Sequence, residues 1–420
     1  MRLSDVVNGF RKVFGSEPQV IASAPARLDL LNTHQDYKGL PVVGAAIELR
    51  CFVAARESGS GLVEVFSENM RLRGEPHRDS FTPLKCSIEP RWFGSYIRAA
   101  YVAMHRILGV DPPPARIYIV SEIPPGAGLG SSAALTLATV LALAGLSGVD
   151  IDERTLAEVG YVAEHDVMGI PCGRLDQYTS AFGGMLLIET RPPHRVERLD
   201  PPSGVFIAID SGEKHETRAV HTTRQREIEE GLRSLLSMPD LPQSLREKLG
   251  ESCWSTKWSE LDLEELRPYL SRLSEAPRRR IEYTIRCHRS TMVVVKLFRG
   301  EPLDPEEAAR ALEMSVEEVE EMLRSRDPKL ALLSRAMNLQ HELLRDLYEV
   351  STPRLEELRN TALGAGALAC KISGAGLGGA LTAVARDAES AENVATKCLE
   401  LGSPFAEPVK LGSGARLEIF

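Results

Sequence analysis

One glycine-rich segment constrains the fold of this chain more than any other. It reads Ile-Pro-Pro-Gly-Ala-Gly-Leu-Gly-Ser-Ser-Ala-Ala over residues 123–134, between a predicted strand at 116–120 and an apolar helix that begins near Ala133. Small residues let the backbone curl so that successive N–H groups point at one spot. That spot lies at a helix N-terminus, where the helix dipole favours an anion such as a nucleotide phosphate.

Two interpretations of this segment stay open on the residues alone. Three glycines between a strand and a helix also suit tight helix–strand packing with no ligand. No Gly-Lys-Ser/Thr ends the segment, so it is not a Walker A loop. The acidic residue of a dinucleotide fingerprint, which closes a second strand about 20 residues later, is also missing. A nucleotide site here therefore follows another design, in which Ser131 and Ser132 offer hydroxyls to phosphate or to a metal ion.

The composition excludes several classes of protein. A chain of 420 residues exceeds one ordinary core and predicts two domains. Its net charge of −9 disfavours a general nucleic-acid binder, and the lack of any run of about 18 apolar residues disfavours a membrane span. The seven cysteines form no Cys-x-x-Cys pair, and the amino terminus has no apolar signal region. These features predict a cytoplasmic protein without a cysteine metal cage.

The order of predicted elements indicates an α+β fold. A rise in proline density sets the boundary between a predicted domain of residues 1–203 and a second of residues 204–414. The second opens on a strand at 205–210 and continues with long charged amphipathic helices at 221–237 and 305–347. Strands and helices alternate in the first half, so each half is expected to contain a sheet.

Four further segments carry polar side chains suited to chemistry: 24–39, 163–177, 210–215 and a second glycine loop at 371–379. Phosphoryl transfer needs a phosphate cradle, a metal held by oxygens, a cation near the γ-phosphate and a carboxylate near the acceptor hydroxyl. The first glycine loop would be the cradle, and Ser132 with Glu164 would hold the metal. Arg27 would be the cation and Asp176 the carboxylate. Taken singly, an arginine at position 27 is better explained by a surface ion pair, and the spacing alone does not bring these residues together.

Three segments, at 25–36, 124–134 and 373–379, resemble in sequence and order the signature motifs of one kinase superfamily. It is named for galactokinase, homoserine kinase, mevalonate kinase and phosphomevalonate kinase (the GHMP kinases). The chain is most similar to the galactokinases, because 163–177 matches their catalytic-aspartate segment almost residue for residue. The similarity covers about residues 20–385. It implies a two-domain α+β fold that binds ATP and sugar in the cleft between domains, with a final strand at 415–420 that returns to the first domain.

The resemblance also implies roles at individual positions. Asp176 would be the base, or the negative partner, of the sugar hydroxyl, and Arg27 would sit beside that hydroxyl and the γ-phosphate. Ser132 and Glu164 would hold Mg²⁺. ATP would be bound by Trp92, stacked on adenine, and by Pro125, Gly126, Ala127, Gly128, Leu129, Gly130, Ser131 and Ser132. The sugar would meet Thr33, His34, Asp36 and His221, and the second glycine loop, with Gly374, Gly376 and Gly378, would shape the closing side of the cleft.

Two departures from the galactokinase pattern concern the sugar. Galactokinases carry Gly-Glu-His-Thr-Asp-Tyr where this chain has Asn-Thr-His-Gln-Asp-Tyr, so Thr33 replaces a glutamate that would face the C6 hydroxyl. An expected tyrosine aligns with His221 across a one-residue gap. Loss of the carboxylate removes a charged hydrogen bond worth about 1.5–3 kcal/mol. It also removes the repulsion that would exclude an acidic group at C6.

The expected activity is therefore ATP-dependent phosphorylation of the anomeric hydroxyl of galactose or a related sugar. One alternative is a kinase for a C6-modified sugar such as galacturonate, or for another small polyol. The other is a catalytically inactive sugar sensor on the same scaffold. In each case the partner is a small sugar and neither nucleic acid nor membrane, and the protein is expected to be a monomer or a homodimer.

Overall fold

The structure is a computed structural model that describes residues 1–90, 92–213 and 217–418. The strands within these ranges are β1 (Val20–Leu31), β2 (Val42–Glu57), β3 (Val63–Ser67), β4 (Arg78–Phe81), β5 (Ala115–Ser121), β6 (Met185–Glu189), β7 (Arg195–Leu199), β8 (Val205–Asp210), β9 (Ala367–Ser373), β10 (Ala380–Ala385), β11 (Phe405–Val409) and β12 (Arg416–Glu418). The first eight helices are α1 (Leu3–Phe14), α2 (Glu68–Leu72), α3 (Gly94–Leu108), α4 (Ser131–Ser147), α5 (Glu153–Val162), α6 (Leu175–Phe182), α7 (Thr217–Leu236) and α8 (Gln243–Arg246). The others are α9 (Leu263–Leu270), α10 (Glu275–Phe298), α11 (Pro305–Leu312), α12 (Val316–Arg324), α13 (Pro328–Asp346), α14 (Pro353–Gly364) and α15 (Ala388–Glu400). A π-helical segment, Ala163–Val167, continues α5.

The described strands form two sheets. The larger has the order β12-β1-β2-β5-β3-β4, with β6 and β7 joined to it through β2. The smaller has the order β11-β8-β10-β9. Strand β12 lies antiparallel to β1, with Ala22 opposite Leu417, so residues 416–418 join the sheet that the first 199 residues build. The predicted boundary at 203/204 falls between β7 and β8, and the division into two domains stays a prediction.

Helix α4 forms the centre of the core on the larger sheet. Its sequence is apolar on every side, which is typical of a helix enclosed by other elements. Leu137, Val140 and Leu143 have no exposed surface, and full burial of each such side chain is worth about 1.5–3 kcal/mol. The helix begins at Ser131, immediately after the first glycine loop, and ends at Gly148, which adopts the left-handed conformation of a helix C-cap. The core thus fixes the position of the N-terminus of α4.

Two predicted elements differ from the observed ones. Strand β1 continues to Leu31 because it stays paired with β2, so Arg27 lies within a strand rather than in the turn after it. The charged stretch 305–347 is three helices, each begun by a side chain that caps its first turn: Asp304, Ser315 and Asp327. None of the helices that the structure describes is both long and apolar enough to cross a bilayer.

Candidate active site

A cavity of about 290 Å³ lies where the larger sheet meets α6, α7 and the two glycine loops. Its lining includes most of the residues predicted to do chemistry: Arg27, Thr33, His34, Asp36, Gly126, Gly128, Gly130, Ser131, Ser132, Glu164, Asp176, His221 and Gly374. These residues come from segments far apart in the chain. The fold therefore collects them around one space.

Arg27 and Asp176 form a two-point ion pair in this cavity. The Nε and Nη2 atoms of Arg27 donate to the two carboxylate oxygens of Asp176 at 2.7 and 2.8 Å, and Nη1 donates to the carbonyl of Gly128 at 2.5 Å. Burial acts to lower the pKa of Arg27, but the Asp176 carboxylate outweighs it, so the pKa is raised and the guanidinium stays charged. Asp176 is 30% exposed, so its carboxylate is open to the cavity.

Helix α6 holds Asp176 in place by lying directly on the sheet. A Cβ atom at Gly44 of β2 would come within 2.4 Å of the Thr179 hydroxyl and 2.8 Å of Leu175, so only glycine permits this approach. The Ser180 hydroxyl also donates to the carbonyl of Pro25 in β1 at 2.7 Å. Asp176 sits in the first turn of α6, where the helix dipole stabilises a carboxylate.

The first glycine loop presents backbone to the cavity and side chains to the core. Gly126, Gly128 and Gly130 line the cavity with φ of +76°, +77° and +74°, which other residues adopt only with strain. Between them, the side chains of Ala127 and Leu129 are 1% exposed. The loop leads into the N-terminus of α4, whose free N–H groups and dipole attract an anion. This arrangement can hold the phosphates of a nucleotide.

A pair of alanine substitutions tests the contact between the two glycine loops. A Cβ atom at Gly128 would lie 3.0 Å from the backbone nitrogen of Ala380 and 3.1 Å from the carbonyl of Ser373. At Gly126 it would meet nothing within 4 Å, although φ is nearly the same. We expect Gly126→Ala to lower the free energy of unfolding by about 1–2 kcal/mol through backbone strain alone. Gly128→Ala should lower Tm by clearly more, and equal losses of Tm would contradict the close contact.

Glu164 is the candidate metal ligand. It is buried on the π-helical segment, where Oε1 accepts from the Gln177 amide at 3.1 Å, and it lines the cavity together with Ser132. Burial, together with the charge of Asp176, raises the pKa of Glu164 to about 7. A cation beside the carboxylate would offset that desolvation. Within the described ranges, no three His, Cys, Asp or Glu side chains cluster to hold a metal. One carboxylate and one hydroxyl suit an ion that takes its other ligands from phosphate and water, as Mg²⁺ does.

The predicted sugar-binding side chains differ in the hydrogen-bonding atoms that they leave open. His34 donates from Nε2 to the Ala375 carbonyl at 3.0 Å and contacts the Tyr37 hydroxyl through Nδ1 at 3.2 Å, so both its ring nitrogens are engaged. His221 donates from Nδ1 to the Pro171 carbonyl at 2.9 Å. Burial lowers the pKa of both imidazoles. Nε2 of neutral His221 is therefore left as an acceptor.

Asp36 is the other sugar candidate. Its carboxylate accepts from the backbone N–H of Tyr37 at 3.0 Å and from the N–H of Leu175 at 3.3 Å. These bonds connect the segment after β1 to the start of α6. Burial, and next the charge of Asp176, raises the pKa of Asp36.

Thr33 does not present a free hydroxyl. Its Oγ1 donates to Oδ1 of Asp29 at 3.0 Å and accepts from Nζ of Lys371 at 2.7 Å. Asp29 also lines the cavity and was missed by the sequence analysis, as was Lys371. Nothing in the sequence pointed to Asp29 while this stretch was predicted to be a turn; within β1, its place two residues after Arg27 puts both side chains on the same face.

Several predicted residues lie outside the cavity lining. Trp92 packs against Phe93, with ring centroids 4.5 Å apart. Pro125, Ala127, Leu129, Gly376 and Gly378 also do not line the cavity. The roles assigned to these six residues, like those of the lining residues, stay predictions. Residues 214 and 215 of the polar segment 210–215 lie outside the described residues, as do residues 419 and 420 of the predicted strand 415–420.

Three family models match the chain. The galactokinase galactose-binding signature matches residues 8–57, the GHMP kinases N terminal domain matches 95–184, and the GHMP kinases C terminal model matches 316–403. Galactokinase of Bos taurus is 30% identical over 386 residues, which cover 90% of this chain and 86% of the relative. This chain belongs to the GHMP kinase family. The resemblance drawn from the motifs is thereby confirmed, as is its tie to the galactokinases.

Other members of the GHMP kinase family are similar along nearly the whole chain. Human galactokinase is 29% identical over 390 residues, covering 90% of this chain and 86% of the relative. Mevalonate kinase of Thermococcus onnurineus is 27% identical over 407 residues, covering 95% and 98%. The crystal structure of Lactococcus lactis galactokinase complexed with galactose superposes with a TM-score of 0.78 at 23% identity and 99% coverage of both chains. This last comparison confirms the predicted GHMP kinase fold.

Proposed function

We propose that this GHMP kinase transfers the γ-phosphate of ATP to the anomeric hydroxyl of galactose. The observation that carries the proposal is the Arg27–Asp176 pair, which faces the same cavity as the glycine loop at the N-terminus of α4. A cation and a carboxylate next to an anion cradle are the parts that phosphoryl transfer needs. The galactokinase signature over residues 8–57 and the galactokinase relatives support galactose as the acceptor.

The geometry gives each member of the pair a task. The open carboxylate of Asp176 would accept the hydrogen bond of the sugar hydroxyl and orient it toward phosphorus. It would take the hydroxyl proton as the new P–O bond forms and the bond from the γ-phosphorus to the bridging oxygen breaks, which releases ADP. A loose transition state asks little of a base, so orientation is the larger contribution. Arg27 would stabilise the negative charge that spreads over the transferred group, and its bond to the Gly128 carbonyl ties that charge to the glycine loop.

Glu164 and Ser132 would hold Mg²⁺ with the phosphate oxygens of ATP, where the ion would neutralise phosphate charge. The Glu164→Gln variant keeps the shape of the side chain and removes its charge. We expect it to raise the Mg²⁺ concentration for half-maximal activity by about 10-fold or more. The matched control is Glu153→Gln, an exposed side chain at the start of α5. An unchanged Mg²⁺ dependence in Glu164→Gln would remove Glu164 from the metal site.

The proposal is tested by ADP release from Mg-ATP over a panel of acceptors. The panel contains galactose, galacturonate, glucose, N-acetylgalactosamine, arabinose and myo-inositol, with mevalonate added because mevalonate kinases are among the relatives. Turnover of galactose is the expected result. Turnover of galacturonate or another polyol would favour the alternative substrate class. Tight ATP binding with no turnover of any acceptor would favour the inactive sensor, against which the preserved Arg27–Asp176 pair argues.

A further inference from the structure

Asp29 is a buried carboxylate beside the predicted sugar-binding residues, and the proposed mechanism assigns it no role. It is 2% exposed and lines the cavity beside Thr33. It follows Arg27 by two positions in a regular stretch of β1, where Arg27 lies opposite Ala46 and Asp29 opposite Gly44. The two side chains therefore share one face of the sheet, ~6.6 Å apart along the strand.

A network on one side of Asp29 holds its carboxylate in place. Thr33 donates to Oδ1 at 3.0 Å, and Nζ of Lys371 lies 3.8 Å from the same oxygen. The three protons of Lys371 are used inside the protein, on the carbonyl of Asp29 at 2.9 Å, on Oγ1 of Thr33 at 2.7 Å and on the carbonyl of Ile372 at 2.8 Å. The ammonium can therefore stabilise the carboxylate but has no donor left for a ligand.

The other carboxylate oxygen of Asp29 is open. No hydrogen bond from the described residues reaches Oδ2, and this atom is not among the unpartnered polar atoms that are sealed from solvent. A buried carboxylate oxygen without a donor is costly unless a ligand or water supplies one. Neighbouring side chains offer few alternative partners to a ligand hydroxyl, because the Thr33 hydroxyl and both ring nitrogens of His34 are already hydrogen bonded within the protein.

We infer that Oδ2 of Asp29 accepts a hydrogen bond from a sugar hydroxyl remote from the anomeric carbon, at C4 or C6, and that Asp29 thereby determines substrate specificity. The inference rests on the proposed function, because the Arg27–Asp176 pair fixes where the anomeric hydroxyl lies. A sugar ring that spans from that pair toward Asp29 brings its far hydroxyls to this oxygen. Asp29 would thus supply, from four residues earlier, the carboxylate that galactokinases carry at the position of Thr33.

Asp29 also restricts the class of sugar that the pocket accepts. A carboxylate in the wall attracts a hydroxyl donor and repels a second carboxylate. The pocket is therefore suited to a neutral sugar and excludes a uronic acid, even though Thr33 by itself would permit one. Galacturonate should neither turn over nor compete with galactose in the unmodified enzyme.

The test compares the unmodified enzyme with Asp29→Asn on galactose and on its 2-deoxy, 4-deoxy and 6-deoxy forms, with kcat/KM as the readout. The amide keeps an oxygen for Thr33 and loses the charge. For galactose, the variant should lose about 10- to 100-fold in kcat/KM, the worth of a charged hydrogen bond. For one of the 4-deoxy and 6-deoxy sugars, the kcat/KM values of the two enzymes should agree within about twofold, because that sugar already lacks the hydroxyl that Asp29 would bind. The 2-deoxy sugar is the control and should show the same loss as galactose.

An equal factor for all four sugars would overturn the inference, because a merely structural role affects every substrate alike. Affinity for a non-hydrolysable ATP analogue, measured by calorimetry, checks that the variant is folded. Should Asp29→Asn not fold, the unmodified enzyme still decides. Competition by galacturonate against galactose, or 4-deoxy and 6-deoxy sugars used as well as galactose, would overturn the inference. Failure of the unmodified enzyme to phosphorylate galactose would instead overturn the proposed function.

Discussion

Replacing Asp176 with asparagine is expected to lower kcat by about 10²- to 10⁴-fold, the range that a positioned proton acceptor contributes. The amide has nearly the same shape, so the cavity and the fold should persist. It cannot take the proton of the sugar hydroxyl, and it offers Arg27 one acceptor oxygen in place of the two that the carboxylate provides at 2.7 and 2.8 Å. The nucleotide affinity should change little, because the glycine loop is untouched.

The matched control for this variant is Asp166→Asn. Asp166 is an exposed carboxylate ten positions before Asp176, and its hydrogen bond to His165 lies outside the cavity. Steady-state kinetics with galactose and thermal unfolding should be measured for both variants. An Asp176→Asn enzyme with nearly normal kcat would show that the carboxylate neither orients nor deprotonates the acceptor. A large fall of kcat in the control would point to a general disturbance of the segment.

Replacing Arg27 with methionine is expected to lower kcat by about 10³-fold or more, the scale of a positioned arginine in phosphoryl transfer. The change removes the cation, leaves the Asp176 carboxylate without its partner and frees the Gly128 carbonyl that Arg27 holds at 2.5 Å. Arg27→Lys restores the charge but not the two-point geometry, so it should recover only part of the rate.

The double variant Arg27→Met/Asp176→Asn separates chemistry from packing. The two residues act as a unit, so the double variant should be about as slow as the slower single variant rather than slower by the product of both losses. Tm of Arg27→Met should fall, because a buried partner of Asp176 and of the loop is lost. Full kcat in Arg27→Lys, or multiplicative losses in the double variant, would contradict the concerted role of the pair.

The conformation of the first glycine loop was predictable from the sequence because its cause is local. Gly126, Gly128 and Gly130 alternate with Ala127 and Leu129, and that alternation alone dictates which groups can face a ligand and which face the core. The family resemblance supplied the remaining parts, Arg27 and Asp176 among them, since their residues match motifs in the family order. What the sequence left open was whether these parts converge.

Contacts between residues far apart in the chain could not be predicted from the sequence. The network around Asp29 depends on Lys371, which lies 342 residues away, and no periodicity links the two positions. The motif does not show that the Thr33 hydroxyl is already hydrogen bonded within that network. From the motif alone, a uronic acid was therefore a possible substrate. The turn predicted after residue 24 is instead strand, because pairing with β2 outweighs the local polar character of Arg27 and Asp29.

Phosphoryl transfer to the anomeric oxygen is best tested by NMR analysis of the product formed from ATP, Mg²⁺ and galactose labelled with ¹³C at the anomeric carbon. We expect stoichiometric ADP and a phosphate coupled to the labelled carbon. The Asp176→Asn variant should form this product slowly while still binding nucleotide. A phosphate on another carbon, or no sugar phosphate while mevalonate or galacturonate is consumed, would show that the enzyme is not a galactose 1-kinase.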